Sequence, residues 1–330
     1  MRVCILADKW GNLDEGMKKV GSKIAEILKT VKEIDDILYL DVHSLVTNPF
    51  LWRRIKQFEP DIIHFIPGVS VKSLSFMKLL KLRLRSTKSI ISALIPRLDY
   101  PKILIRFLKP DLLIVQSEYA IRKLSALGVN FVIIPNGVDI DKFKPVDTDM
   151  RISLREKYGI PTVGRVILHV GHLKEGRNIH VLPYILSEDD VLLIVGSTTT
   201  KVSKKLIENL SKYRNVIIRR EYFKNIEEIY ALADVYVFPV KNERNSIGVP
   251  LSVLEAMSTN LPVITTRFGG LPLLFREGNG YYYFDTLREL KEKIQLIFYD
   301  SCRVKTRDMV AKYSWNRIGQ LLVGAYKSIL

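Results

Sequence analysis

Short runs rich in valine and isoleucine alternate along the chain with longer stretches whose apolar residues recur every three or four positions. Runs of the first kind read as buried parallel strands and stretches of the second as amphipathic helices, the pattern of consecutive βαβ units. It predicts strands at 3–7, 37–40, 62–66, 90–93, 112–116 and 132–134, then a second series at 166–170, 191–195, 216–218, 235–238 and 263–265. Two successive open α/β sheets follow, each with helices on both faces. Between the series lies KPVDTDMRISLREKYGIPT (144–162), charged and with a proline near each end, which places a linker near Pro145. The predicted organisation is one domain over 1–145, a second over 146–313 and a last helix over 314–330. Trp315, Ile318, Leu322 and Tyr326 share one face of that helix, which is expected to return to the first domain.

The same pattern locates candidate chemistry. The strand at 235–238 leads through PVKNERNSIG into PLSVLEAMS. Pro250 suits a first helical turn, where its missing amide would be unpaired anyway. Ser252, Glu255 and Thr259 then share a polar face, with Leu251, Leu254 and Met257 toward the core. A helix that starts at the carboxyl end of a parallel strand offers amides and the positive end of its dipole to an anion. Glu255, one turn in, could accept from both hydroxyls of a ribose; the alternative is a solvated glutamate on an ordinary amphipathic helix. LHVGHLKEGRNI (168–179) is a strand followed by a loop with Gly171, Gly176 and the cations His172, Lys174 and Arg177. Such a loop can hold a diphosphate without a metal, or it can be a solvated basic turn. VIIPNGVD (132–139) ends a strand at Asn136-Gly137, a turn signal.

Composition narrows the setting. A chain of 330 residues suffices for two domains. Its two cysteines, Cys4 and Cys302, are too far apart for a disulfide framework or a zinc-ligand spacing, which fits a reducing compartment. The opening MRVCILADKW is cut short at Asp8, so no signal-peptide core is expected, and no run reaches the roughly 18 apolar residues of a membrane span. A soluble, cytoplasmic chain is therefore expected. The net charge of +16 implies an anionic partner. It is concentrated over 53–109, with about 13 basic against 3 acidic residues. Within it KSLSFMKLLKLRLRSTK, from Lys72 to Lys88, can form a helix with Leu74, Met77, Leu80 and Leu84 on one side. That helix either docks on anionic lipid at the inner membrane face or packs on the first sheet with a solvated basic face. Aromatic residues are not interleaved with these cations as nucleic-acid binding would require. His64 and His169, in apolar strands, read as core histidines.

IPNGVDIDKF, with Phe143 and then Pro145, resembles the interdomain strand-loop of the retaining glycosyltransferases of family 4. VGHLKEGRN, IYALADVYVFP, VPLSVLEAMSTNLPVITT with FGG, and a terminal YSW helix are similar to segments of that family's C-terminal domain, in the same order. The likeness covers about residue 111 to the end, whereas the first hundred residues share only its general layout. It implies the GT-B fold, two Rossmann-like doubly wound domains facing across a cleft. It further implies a metal-independent, retaining, hexosyl-type transferase that moves sugar from a UDP-, GDP- or ADP-sugar to a hydroxyl acceptor, with lipid-linked and cell-envelope glycans among the candidates. The nucleotide sugar is then a substrate, and no cofactor is implied.

Carried over by position, the resemblance assigns Glu255 to the donor ribose and Arg177 to the place of a phosphate-binding lysine. His172 stands where the family has arginine, and these three make up the implied catalytic set. Gly171, Lys174, Gly248, Val249, Pro250 and Leu251 would line the donor, Gly269 and Gly270 would pass near it, and Asn136 and Gly137 would form the interdomain loop. Two positions depart from the pattern. Ile247 falls where a second glutamate is usual, with Gly248 two residues out of register, so Glu243, Asn245 or Ser246 would have to substitute. Ile95 falls where a sugar-contacting histidine is usual. A non-catalytic sugar-nucleotide-binding subunit therefore stays open, as does a metal-dependent transferase using Asp139 and Asp141.

Overall fold

The computed structural model describes residues 1–9, 11–13, 15–43, 48–95, 101–299 and 304–330; Cys302 lies outside them. The chain divides into two compact units, Met1–Gly137 with Ile247–Val249 and Trp315–Leu330, and Val138–Ser246 with Pro250–Ser314.

The first unit holds β1 (Arg2–Ala7), β2 (Asp36–Asp41), β3 (Ile62–Phe65), β4 (Lys88–Ser92), β5 (Leu112–Val115) and β6 (Phe131–Ile133), all parallel, in the order β2-β1-β3-β4-β5-β6. Their near-continuous apolar sequences follow from helices covering both faces, which leaves no strand a wet side. Helix α1 (Gly16–Leu28) crosses from β1 to β2. Helix α2 (Val71–Arg83) starts at a reciprocal cap, in which Ser70 accepts from the Ser73 amide (3.0 Å) and Ser73 accepts from the Ser70 amide (2.7 Å). Leu74, Met77 and Leu80 of α2 are buried in the core of this unit, each contributing about 1.5–3 kcal/mol. That apolar side is thus committed to the sheet. Helix α3 (Lys102–Leu108) lies beside α2.

The C-terminal helix, Trp315–Lys327, buries Trp315, Ile318, Leu322 and Tyr326 in the same unit and packs on α1, where Gly319 meets Ile27. The Tyr326 hydroxyl lies 2.8 Å from His64 Nδ1, and the Ser92 hydroxyl lies 2.8 Å from Nε2. Both ring nitrogens of this core histidine are therefore satisfied. No helix among the described residues is long and apolar enough to cross a membrane.

The second unit holds β7 (Val166–Val170), β8 (Val191–Val195), β9 (Val216–Arg219), β10 (Val235–Phe238), β11 (Val263–Thr265) and β12 (Tyr281–Tyr283), again all parallel, in the order β12-β11-β10-β7-β8-β9. Strand β12 adds one to the five expected from the pattern. Part of the charged segment read as a linker is helix α4 (Thr148–Lys157), capped by Asp147, which accepts from the Met150 amide at 2.8 Å. Arg155 of α4 is buried and donates to Leu232 O (2.9 Å), Gly164 O (3.2 Å) and Asp234 Oδ2 (2.5 Å). Asp234 Oδ2 also accepts from the Val166 amide (2.7 Å), so this network ties α4 to the starts of β7 and β10.

Candidate functional site

In an open parallel sheet a ligand sits beyond the carboxyl ends of the strands where the strand order reverses, because the two loops there leave in opposite directions. In the second unit that point lies between β7 and β10. The loop after β7 carries Gly171 to Asn178, and the loop after β10 runs toward helix α5 (Leu251–Ser258). Three short ties fix these loops. Asn178 Nδ2 donates to Pro239 O (3.2 Å), Asn245 Nδ2 donates to Gly176 O (2.8 Å), and the Thr266 hydroxyl beyond β11 donates to Val240 O. Asn178 adopts the left-handed conformation, φ 58°, to turn the first loop back.

Arg177 is only 7% exposed. Burial pulls its pKa down to about 10, so it stays charged at neutral pH. Its Nε has no hydrogen-bond partner, and no carboxylate among the described residues pairs with it. Beneath it lies His169, whose Nδ1 donates to Val237 O at 2.9 Å, leaving Nε2 as an unpartnered acceptor. A Cβ on Gly171 would lie 3.1 Å from His169 Nε2 and 3.2 Å from Arg177 Nη1, so the absence of a side chain there keeps the space above both open.

Glu255 is buried in α5, which excludes a solvated surface carboxylate. Its Oε2 accepts from the Tyr230 hydroxyl at 2.8 Å. Tyr230 is fully buried, and burial together with the Glu255 charge holds its pKa well above the usual range. Phe143 packs edge-on against the Tyr230 ring at 5.5 Å, which gives the aromatic residue of the IPNGVDIDKF segment a physical task. Tyr236 is within electrostatic reach of both Arg177 and Glu255; its hydroxyl meets the Ser252 side chain and lies 3.4 Å from Val170 O. The two sequence-predicted charges are thus gathered around one buried tyrosine. Neither Tyr230 nor Tyr236 was singled out by sequence, although a tyrosine inside the otherwise aliphatic VYVF strand is a legible signal.

No side chain caps α5, so the amides of Leu251, Ser252 and Val253, beyond Pro250, have no intrahelical acceptor. His172 is half-buried on the loop after β7, and Lys174 is exposed. Gly269 requires its positive φ of 57°, and Gly270 opens the short helix Leu271–Leu274.

Gly248 and Val249 belong to the first unit, where their amides are already engaged: Gly248 N donates to Leu94 O (2.6 Å) and Val249 N to Gln116 Oε1 (3.3 Å). Asn136 Nδ2 donates to Val249 O (2.6 Å), and Gln116 Nε2 donates to Asn136 Oδ1 (2.8 Å). Asn136 therefore staples this segment rather than forming a simple turn. Gly137 is required by close approach, since a Cβ there would lie 2.9 Å from Trp315 Cα. Ile247 is buried against Gly16 in the first unit. Glu243 and Asn245 form a single 3-10 turn with Ser246 after it, and the amide nitrogen of Asn245 is used on Gly176. Asp139 Oδ1 accepts from the Lys142 amide (3.1 Å), a local turn cap for the Asp139 and Asp141 pair. Among the described residues no cluster of three His, Cys, Asp or Glu side chains is placed to hold a metal.

Both buried histidines bear on stability. Burial lowers the pKa of His64 to about 3 and that of His169 to about 4, the latter with help from the Arg177 charge. Below the ordinary histidine value of about 6.5 the unfolded chain takes up two protons that the folded chain refuses, so stability is complete above that pH and falls as pH decreases toward 4. Urea unfolding is expected to show a loss of about 3 kcal/mol between pH 6.5 and 5 from these two groups. A loss of about half that size would mean that one of them is protonated in the folded protein, and a flat profile that both are.

Residues 164–300 match the family model described as Glycosyl transferases group 1. The chain is 28% identical over 292 residues to the sulfoquinovosyl transferase SQD2 of Arabidopsis thaliana, covering 82% of this chain and 55% of that protein. It is 26% identical over 238 residues to a GDP-mannose-dependent monoacylated alpha-(1-6)-phosphatidylinositol monomannoside mannosyltransferase of Corynebacterium glutamicum, covering 66% of this chain and 62% of that protein. The chain thus spans little more than half the length of these curated relatives. The structure of Anabaena HepE in complex with UDP and glucose superposes with a TM-score of 0.75 at 14% identity, over 99% of this chain and 100% of that one. Two six-stranded parallel sheets flanked by helices give the chain a GT-B fold, and within it residues 164–300 are similar to the glycosyl transferases group 1.

Proposed function

We propose that the chain transfers a hexosyl group from a nucleotide-diphosphate donor to a hydroxyl acceptor, with retention and without a metal ion. The donor diphosphate lies against the loops that follow β7 and β10. Arg177 carries this reading: it is a buried guanidinium with no counter-charge among the described residues. An uncompensated buried charge costs the fold several kcal/mol. A pyrophosphate entering the loop supplies the missing anion.

In the transfer, the acceptor oxygen bonds to the anomeric carbon as the bond from that carbon to the β-phosphate oxygen breaks. The electron pair leaves on the diphosphate and the acceptor proton passes to a phosphate oxygen, so no protein base is required. Arg177, Lys174, His172 and the first amides of α5 place positive charge where the negative charge grows. His172, in the place of an arginine, makes one of these cations dependent on pH. Glu255, held by Tyr230, is the carboxylate for the ribose diol. The named ligands of the HepE structure and of the Corynebacterium relative support a nucleotide-diphosphate sugar as the class, and the relative's name supports a lipid-linked acceptor.

A thermal-shift panel of UDP-, GDP- and ADP-sugars tests the donor class. A donor present at 100 times its dissociation constant adds about 2.7 kcal/mol to a protein it binds only when folded. No shift with any of the three rejects the reading, and loss of turnover in EDTA rejects the metal-free step. Ile247, apolar and buried in the first unit, favours a second reading, a non-catalytic sugar-nucleotide-binding subunit. That reading is selected by a nucleotide shift without transfer or donor hydrolysis.

A further inference from the structure

The apolar side of α2 is committed to the core, but an adjoining face is not. Leu79 and Leu82 of α2 are 45% and 64% exposed, and Ile103 and Phe107 of α3 are 80% and 69% exposed. Ile103 and Phe107 stand four residues apart on one side of α3, while Ile105 and Leu108 anchor that helix in the core. The two helices touch, and Lys78 Nζ of α2 lies 5.5 Å from the centre of the Phe107 ring. Leu82 is one helical turn beyond Lys78, so the four apolar side chains share one surface. Exposed Lys72, Arg83, Arg85, Lys102, Arg106 and Lys109 lie on or beside these helices. No carboxylate occurs among the described residues from 71 to 110, and Asp111 is already paired with Lys81.

We propose that α2 and α3 together form a docking surface for an anionic lipid bilayer. Single exposed apolar residues are ordinary on any protein, whereas adjoining ones within a field of one sign mark an interaction site. The charge decides the occupant. Protein interfaces are depleted of lysine, while a bilayer boundary accepts leucine, isoleucine and phenylalanine at the depth of the acyl chains and lysine and arginine at the phosphates above them. The side of α2 facing the bilayer is therefore that of Leu79 and Leu82, and α3 supplies the larger part of the apolar surface. The inference deepens the proposed function by naming the phase that presents a lipid-linked acceptor, and it rests on that reading only there.

The full chain is sedimented with vesicles of phosphatidylcholine alone and of equal parts phosphatidylcholine and phosphatidylglycerol. Binding is expected to the anionic vesicles and not to the neutral ones, and to weaken as salt shortens the screening length. Substituting Ile103→Ser with Phe107→Ser is expected to weaken binding at least tenfold, and Lys102→Gln with Lys109→Gln to weaken it about fivefold per residue. These residues are exposed, so the melting temperature and any nucleotide-sugar shift should match those of the parent chain. Binding to neither vesicle, equal binding to both, or undiminished binding by the Ile103→Ser and Phe107→Ser variant overturns the proposal, as does binding restricted to a protein partner. Loss of the nucleotide shift in Arg177→Ala with vesicle binding intact separates the failure of one reading from that of the other.

Discussion

Arg177→Ala is expected to abolish the thermal shift produced by a nucleotide sugar and to lower turnover by roughly a hundredfold to a thousandfold, the range for losing one preorganised donor to a developing anion. The unliganded variant should melt no lower than the parent chain. The reason is the pairing on the loop after β7: the guanidinium is desolvated, its Nε has no partner, and the neutral His169 beside it offers only a lone pair. Removing a charge that the fold holds at a cost does not weaken the empty protein, while it takes from the diphosphate its principal charge-assisted donor. Arg177→Lys keeps the charge but loses the planar fork, so it should fall between the two. If Arg177→Ala instead lowered the melting point by many degrees and left the nucleotide shift unchanged, Arg177 would be a structural cation and the donor would lie elsewhere.

Asp234→Ala is expected to destabilise the second unit by about 3–5 kcal/mol, the usual consequence of removing one partner from a buried ion pair. Arg155 keeps its bonds to Leu232 O and Gly164 O, but its charge is left without compensation, and the Val166 amide at the start of β7 loses its acceptor. Asp234→Asn, which retains the acceptor and not the charge, should lie between. Urea unfolding of both variants checks this; a loss below about 1 kcal/mol for the alanine would show that Arg151 and solvent redistribute around the gap.

Much of the fold was legible because strands covered on both faces are written as plain aliphatic runs. Eleven predicted strands coincide with β1 to β11 within a residue or two. Strand β12 escaped because Tyr281, Tyr282 and Tyr283 form a three-residue run whose regularity comes from pairing with β11. Helix α4 escaped for the opposite reason. Its sequence is polar, and the burial of Arg155 depends on Asp234, 79 positions further on. At the candidate site, Arg177 and Glu255 could be picked out from a loop after a strand and a helix start after another. Their common environment could not, since it is made by Tyr230 and Tyr236 from other elements. Gly248 and Val249 look in sequence like part of the same helix start, yet Gln116, Asn136 and Leu94 hold them in the first unit.

The order of strands and helices, the loop of cations after β7, the uncapped start of α5 and the local excess of basic charge are properties of residues near one another in the chain, and the sequence alone determined them. Which charges are buried, which are paired and which apolar faces stay exposed was decided only by the tertiary structure. Desolvation and pairing depend on groups brought together from distant positions: α2 faces the sheet with Leu74 and leaves Leu82 in water, and Arg155 finds a carboxylate where Arg177 finds none.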